Sequence, residues 1–211
     1  MATTTLVFVR HGYSLANEQN IFAGITDVPL TEVGKEQARL TAHYLSRYAI
    51  DKLYSSDLQR AMQTAQPIAE QTGLPIIQNA QLREMDLGEW EELPFEAVVQ
   101  EYPKEYELWM NDVDNAVAPG GESVPDLRKR MIAAVEKIIA DNKGKTVCIV
   151  THAEALRVLF SAWTGKRLVD IAYVPNSSVT VMEHNGKECS VVLDGFAEHL
   201  GDLATRLPVT V

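Results

Sequence analysis

The chain has 211 residues, 46% of them hydrophobic and 23% charged, a globular composition far from the low-hydrophobicity, high-charge corner where chains stay disordered. Its 19 Lys and Arg against 29 Asp and Glu give a formal charge of −10, which argues against general affinity for nucleic acid or an anionic membrane, since both need a basic face. An anionic ligand must be met by a local cluster of cations. The length suits one domain. Cys148, inside an apolar run, and Cys189 are too few for a disulfide framework and fit a reducing compartment. The N-terminal segment lacks a basic stretch before its short apolar run, and nothing approaches the ~18 apolar residues of a membrane span, so a cytoplasmic protein is expected.

In chain order, residues 6–9 form an unbroken apolar run suited to a strand covered on both faces, ending at Arg10-His11-Gly12. Thr31 caps an expected helix to about Tyr48, with Val33, Thr41, Tyr44, Leu45 and Tyr48 on its apolar face. Residues 51–55 read as a second strand. A helix from Asp57 to the Gly73 stop comes next, in which Pro67 predicts a kink or split. Residues 75–78 are a third strand. The segment 79–122, with short helical pieces at 95–101 and 104–111, is expected to fold over the sheet as a cap insertion. Ser123, with Asp126 three residues on, opens a helix to about Asn142 whose stripe is Leu127, Met131, Ala134, Val135 and Ile138. Residues 146–151 make a second strongly buried strand, followed by His152 and a helix over 154–163. A hairpin over 178–184 and 188–193 turns at Asn185-Gly186.

This alternation predicts a single α/β domain: a doubly wound, mostly parallel central sheet with helices on both faces, an antiparallel edge, and a small helical and loop cap over the carboxyl ends of the strands. Ligands of such sheets bind beyond those ends. The residues just past each strand are therefore the candidates: Arg10 and His11 after the first, Ser55-Ser56-Asp57 leading to Arg60 after the second, Glu84 after the third, and His152 after the fourth. Each alone has an ordinary structural reading as a turn, an ion pair, an acidic loop or a satisfied histidine. Together, the arginine forks suit phosphoryl oxygens, an oriented neutral imidazole suits a nucleophile, and a carboxylic acid kept protonated suits a leaving oxygen. His43, His184 and His199 show no metal-ligand spacing.

Residues 6–17 (LVFVRHGYSLAN), 22–34 (FAGITDVPLTEVG), 54–65 (YSSDLQRAMQTA), 82–90 (LREMDLGEW), 119–123 (PGGES) and 149–152 (IVTH) resemble the histidine phosphatase superfamily, the phosphoglycerate mutase-like group. The resemblance spans about residues 6–157 and is loose beyond Trp163. It implies that His11 is the phosphorylated nucleophile, that Arg10, Arg60 and His152 bind the transferred phosphoryl group, and that Glu84 is the proton donor. It further implies that Asn17 contacts phosphate, that Ser14 fills a small hydroxyl position, that Gly24 lets the backbone approach the substrate, and that no metal or other cofactor takes part.

The chain departs from the pattern at Tyr13, at Ile25, and at Ala153-Glu154, where relatives carry two glycines. Ala153 would border the anion site, and Glu154 would repel a second phosphate unless turned away. The expected function is therefore a metal-independent phosphomonoesterase acting on small phosphorylated metabolites through a phosphohistidine. A cofactor-dependent phosphoglycerate mutase and a catalytically weak phosphate-binding regulatory protein are the alternatives. The Asn185-Gly186 hairpin offers an edge for a homodimer, although Glu183 and Lys187 equally suit a solvated edge.

Overall fold

Strand β1 (Thr4–Arg10) is buried along nearly its whole length, because helices cover both sides of it. Its alternate residues serve different cores. Leu6 and Phe8 pack with α6 (Val124–Asp141) and α7 (Ala153–Thr164); Val7 and Val9 pack with α2 (Glu32–Leu45) and α3 (Gln59–Thr72). This computed structural model describes residues 2–205. Its six-stranded sheet runs β3 (Ile76–Gln78), β2 (Lys52–Ser55), β4 (Thr146–Thr151), β1, β5 (Val179–His184), β6 (Cys189–Phe196). The four strands from β3 to β1 are parallel and β5 and β6 are antiparallel, so the doubly wound sheet with an antiparallel edge is present.

The chain moves outward from β1 to β2 and β3, then returns to insert β4 between β1 and β2. That reversal pairs Arg10 with Thr151 and Ser55 with Val150, so the ends of three strands emerge side by side. Between β3 and α6 lie short 3-10 turns at Ala80–Leu82 and Gly88–Trp90 and the helices α4 (Phe95–Glu101) and α5 (Pro103–Asn111). Helix α1 (Leu15–Gln19) comes directly after β1.

Local signals account for most boundaries. Thr31 and Ser123 accept from the backbone N–H of Gly34 and Asp126, and Gly73 and Gly165 take the left-handed conformation that ends α3 and α7. Two expectations need correction. Helix α2 ends at Leu45 rather than near Tyr48, and Val33 is 42% exposed. Its buried face is Gly34, Gln37, Ala38, Thr41, Ala42, Tyr44 and Leu45. Pro67 does not split α3, which runs unbroken through it. No described helix is long and apolar enough to cross a membrane.

Candidate active site

His11 leaves β1 and His152 leaves β4 at adjacent strand ends, and the His11 N–H donates to the Thr151 carbonyl at 2.9 Å. The two rings stand 5.1 Å apart between centroids. The ring of His11 has its Nδ1 2.8 Å from the Gly12 carbonyl. A carbonyl can only accept, so Nδ1 carries the hydrogen and Nε2 keeps its lone pair. Burial, then Arg60 and Arg10, push the His11 pKa well below the ordinary histidine value. His152 is fully buried with Nε2 2.8 Å from Ser56 Oγ, and burial followed by Arg60, His11 and the other arginines lowers it in the same way. Its Nδ1 is buried without a partner.

Two arginines stand near both rings. Arg60 rises from the first turn of α3, only 1% exposed, and donates to the carbonyls of Thr26 (2.7 Å), Ala23 (3.1 Å) and Gly24 (2.5 Å). Burial pulls its pKa down to about 10, against the opposing pull of Glu84, Glu91 and Asp27. Arg10 donates through Nη1 to Tyr173 Oη (2.7 Å) and the Val174 carbonyl (2.6 Å), leaving a buried Nε without a partner. Both guanidiniums are oriented by neutral acceptors, and no carboxylate is hydrogen-bonded to either.

Glu84 is held at the N-terminus of α7. Oε1 accepts from the N–H of Met85 (3.0 Å) and Ala155 (2.9 Å), and Oε2 from that of Glu154 (3.1 Å). These bonds favour the carboxylate, yet burial, and then the Glu154 charge, outweigh them and raise the Glu84 pKa. Its loop is clamped by Arg130 of α6, which donates to the carbonyls of Gln81, Arg83 and Glu84 and to the Glu122 carboxylate.

A cleft of about 210 Å³ opens here, and Arg10, His11, Ser14, Asn17, Arg60 and Glu84 line it. The remaining expected site residues, Gly24, His152 and Ala153, stand outside that lining. A Cβ on Gly24 would come 1.9 Å from the Met85 carbonyl oxygen, so glycine lets two loops meet behind Arg60. Ser14 and Asn17 form a capping box on α1, Ser14 Oγ donating to Asn17 Oδ1 at 3.0 Å. Asn176 Nδ2 joins Asn17 Oδ1 (3.1 Å) to the carbonyls of His11 and Gly12. Ser56 lies in the segment after the second strand already singled out in the sequence, whereas Asn176, Tyr173 and Arg130 carried no signal of such roles. Glu154 does line the cleft, but its carboxylate accepts from Arg157 at 2.7 and 2.9 Å. Trp109 lines the cleft, whereas Trp90 is buried beneath it. Among the described residues, no three His, Cys, Asp or Glu side chains are grouped to hold a metal ion.

An α/β sheet presenting paired histidines and arginines at its switch point defines the class, and the chain belongs to the histidine phosphatase superfamily, branch 1, whose family model matches residues 6–195. The match extends past Trp163, through the antiparallel edge. Phosphoserine phosphatase 1 of Hydrogenobacter thermophilus is 31% identical over 93% of this chain and 94% of its own length. A probable phosphoglycerate mutase of Yersinia pestis is 36% identical over 74% of this chain and 73% of its own. In three dimensions YhfR of Bacillus stearothermophilus matches with a TM-score of 0.90 at 30% identity, covering 93% of this chain and 99% of that one. Within the family, the chain is a phosphoglycerate mutase-like phosphatase, a phosphoric monoester hydrolase.

Proposed function

We propose that the protein hydrolyses small phosphorylated metabolites by passing the phosphoryl group through Nε2 of His11. The observation that carries this reading is the His11 ring itself, fixed through Nδ1 to the Gly12 carbonyl, kept neutral by its surroundings and lining the cleft between two arginines. Nε2 attacks phosphorus as the bond to the alcohol oxygen breaks, and Glu84 gives its proton to that oxygen. The Glu84 carboxylate then takes a proton from water, whose oxygen attacks phosphorus and displaces Nε2. Phosphate leaves and both residues return to their starting states. Arg10, through its unpartnered Nε, and Arg60 hold the equatorial oxygens throughout, which is where phosphoryl transfer gains most of its acceleration. His152 braces the nucleophile and offers its unpaired Nδ1 to the same group. Asn17, held by Ser14 and Asn176, supports the phosphate from the α1 side.

Residues 79–122 act as a cap on a single domain, bringing Phe95 and Trp109 to the cleft. A reducing, cytoplasmic setting fits the free thiols of Cys148 and Cys189. Phosphate release from a panel of monoesters, measured in chelator with wild type beside His11→Ala, tests the reading. Release that persists without His11 would overturn it. A mutase reading draws on the 36% identity to a relative named for that activity. Incubation with 3-phosphoglycerate separates the two, free phosphate marking hydrolysis and 2-phosphoglycerate marking mutase action.

A further inference from the structure

Among the described residues, the Arg10 side chain makes two hydrogen bonds, and both acceptors come from consecutive residues of the segment between α7 and β5. They are the Tyr173 hydroxyl at 2.7 Å and the Val174 carbonyl at 2.6 Å. The guanidinium also lies over the Tyr173 ring, 5.2 Å from its centroid. Tyr173 and Val174 at the same time line a second hollow, of about 260 Å³, which shares no lining residue with the catalytic cleft. One short piece of chain thus aims a phosphoryl-binding arginine and walls a separate cavity. Ordering Tyr173 and Val174 by filling the hollow removes that cost from phosphoryl binding at Arg10.

The lining of the hollow indicates what fills it. Phe160, Ile171, Val174, Pro175 and Val191 make it apolar. On its β6 side the ladder is irregular: Val179 pairs with Phe196 but Val181 with Leu193, leaving Asp194 and Gly195 in a bulge, where the Gly195 N–H donates to Thr180 Oγ1 at 3.0 Å. A bulge re-aims side chains, and Asp194 lines the hollow. Lys166 lines it too. Among the described residues, neither the Lys166 ammonium nor the Asp194 carboxylate has a hydrogen-bonded or ion-pair partner, whereas Asp170, the third charged residue of the lining, is bonded to Arg167 at 2.8 and 3.0 Å. One unmatched cation and one unmatched anion on an apolar floor complement a small zwitterion. The volume is below the ~300 Å³ at which drug-sized sites begin, which suits a single amino acid.

We propose, resting on the reading of the cleft as a phosphoryl site, that this hollow is a regulatory site for a free α-amino acid with an apolar side chain. The ligand's carboxylate meets Lys166, its ammonium meets Asp194, and its side chain covers Ile171, Val174 and Val191. Its occupancy steadies Tyr173 and Val174 and so holds Arg10 ready for the phosphoryl group.

The test uses leucine as the probe and inorganic phosphate as the cleft ligand, with calorimetric titration of wild type and variants that keep the wild-type circular dichroism. Saturating phosphate is expected to tighten leucine about fivefold, and leucine to tighten phosphate by the same factor, since coupling is reciprocal. Lys166→Gln and Asp194→Asn each weaken leucine about fivefold, the upper range for an exposed ion pair. The one-charge analogues 4-methylpentanoate and 3-methylbutylamine bind more weakly than leucine. Val191→Trp fills the hollow, abolishing leucine binding while phosphate still binds. Tyr173→Phe keeps the ring in the wall, so leucine still binds, but the coupling falls below about twofold because one of the two links to Arg10 is gone. No leucine binding at millimolar concentration, binding that survives Val191→Trp, an analogue as tight as leucine, or leucine affinity indifferent to phosphate would each overturn the inference and leave the phosphatase reading standing. Coupling undiminished in Tyr173→Phe would overturn the route through Arg10. Phosphate that fails to bind wild type at all would overturn both this inference and the reading of the cleft.

Discussion

Replacing Gly24 with alanine perturbs a close approach between the two loops that meet behind Arg60. A Cβ at this position would stand 1.9 Å from the Met85 carbonyl oxygen, 2.5 Å from Glu91 Oε1 and 3.1 Å from the Leu87 nitrogen. Carbon and carbonyl oxygen approach no closer than roughly 3.3 Å, so the loops must part by over ~1 Å. Neither neighbour yields alone. The Met85 N–H is bonded to Glu84, and the Glu91 carboxylate accepts from the N–H groups of Ile25, Thr26 and Leu87. Gly24 also supplies a carbonyl to Arg60 at 2.5 Å, so the displacement separates Arg60 from Glu84. Overpacking of this kind costs about 1–3 kcal/mol, and a chain of this size loses ~2–4 °C per kcal/mol, giving a Tm drop of about 2–12 °C. The same ~1 Å misplacement should lower kcat/KM about 100-fold at 25 °C, where the variant is still folded. Steady-state hydrolysis of p-nitrophenyl phosphate and a thermal melt measure both quantities. Activity within twofold of wild type would refute the claim that this contact sets the Arg60–Glu84 geometry.

Other expectations rest on the same geometry. Arg60→Lys cannot reproduce a fork that spans three carbonyls and also meets an oxyanion, so kcat/KM should fall more than ~100-fold, and inorganic phosphate, expected to raise the Tm of wild type, should no longer raise that of the variant; retained stabilisation by phosphate would count against Arg60 as the anchor. Glu84→Gln removes the proton donor, so hydrolysis of glycerol phosphate should drop by about 10²–10⁴ while p-nitrophenyl phosphate, whose leaving group needs no proton, falls far less; equal losses would argue for a purely structural Glu84. The folded-state pKa values of His11 and His152 lie below the unfolded value of ~6.5, so the unfolded chain binds protons that the folded chain refuses and stability declines as pH drops below that point. The slope reaches at most about 1.4 kcal/mol per pH unit for each ring, and Glu84, shifted upward, works in the opposite direction near its own range. Urea unfolding of wild type and the His11→Asn, His152→Asn double variant at pH 7 and 5.5 should show the variant less acid-sensitive; parallel losses would remove these histidines from the account.

Elements whose signals are local were legible in the sequence. The strand at Thr146–Thr151 was readable because both faces are apolar, and helix ends at Thr31, Gly73, Ser123 and Gly165 because a cap needs only its own residue and the next turn. The buried face of α2 was misread where hydropathy misleads. Gln37 is fully buried because its side chain accepts from the Tyr13 N–H and donates to the Leu203 carbonyl, while apolar Val33 faces outward. Pro67 leaves α3 intact because Ala61, Ala65 and Ile68 anchor the helix to the core on both sides of it. At the site, Arg10, His11 and His152 were legible because they stand at strand ends, and Arg60 and Glu84 because they lie in the segments that follow one. Arg130, Tyr173 and Asn176 were not. They act through bonds to residues 46 to 165 positions away, which no local pattern encodes.

The arginines divide by the charge of the groups that orient them. Arg83, Arg130 and Arg157 each face a carboxylate and are neutralised in place. Arg10 and Arg60 are instead aimed by neutral acceptors, the carbonyls of Ala23, Gly24, Thr26 and Val174 and the hydroxyl of Tyr173, which fix direction without cancelling charge. Leaving a buried guanidinium without a carboxylate partner is unfavourable, and the fall of the Arg60 pKa to about 10 reflects it. A dianionic phosphoryl group entering the cleft supplies the missing counter-charge where desolvation has made it most effective. This is how a chain of net charge −10 binds an anion: of the two acids lining the cleft, Glu154 is paired with Arg157 and burial favours the neutral form of Glu84, while the two arginines without a carboxylate hydrogen-bond partner stand beside the strand end where the nucleophile emerges.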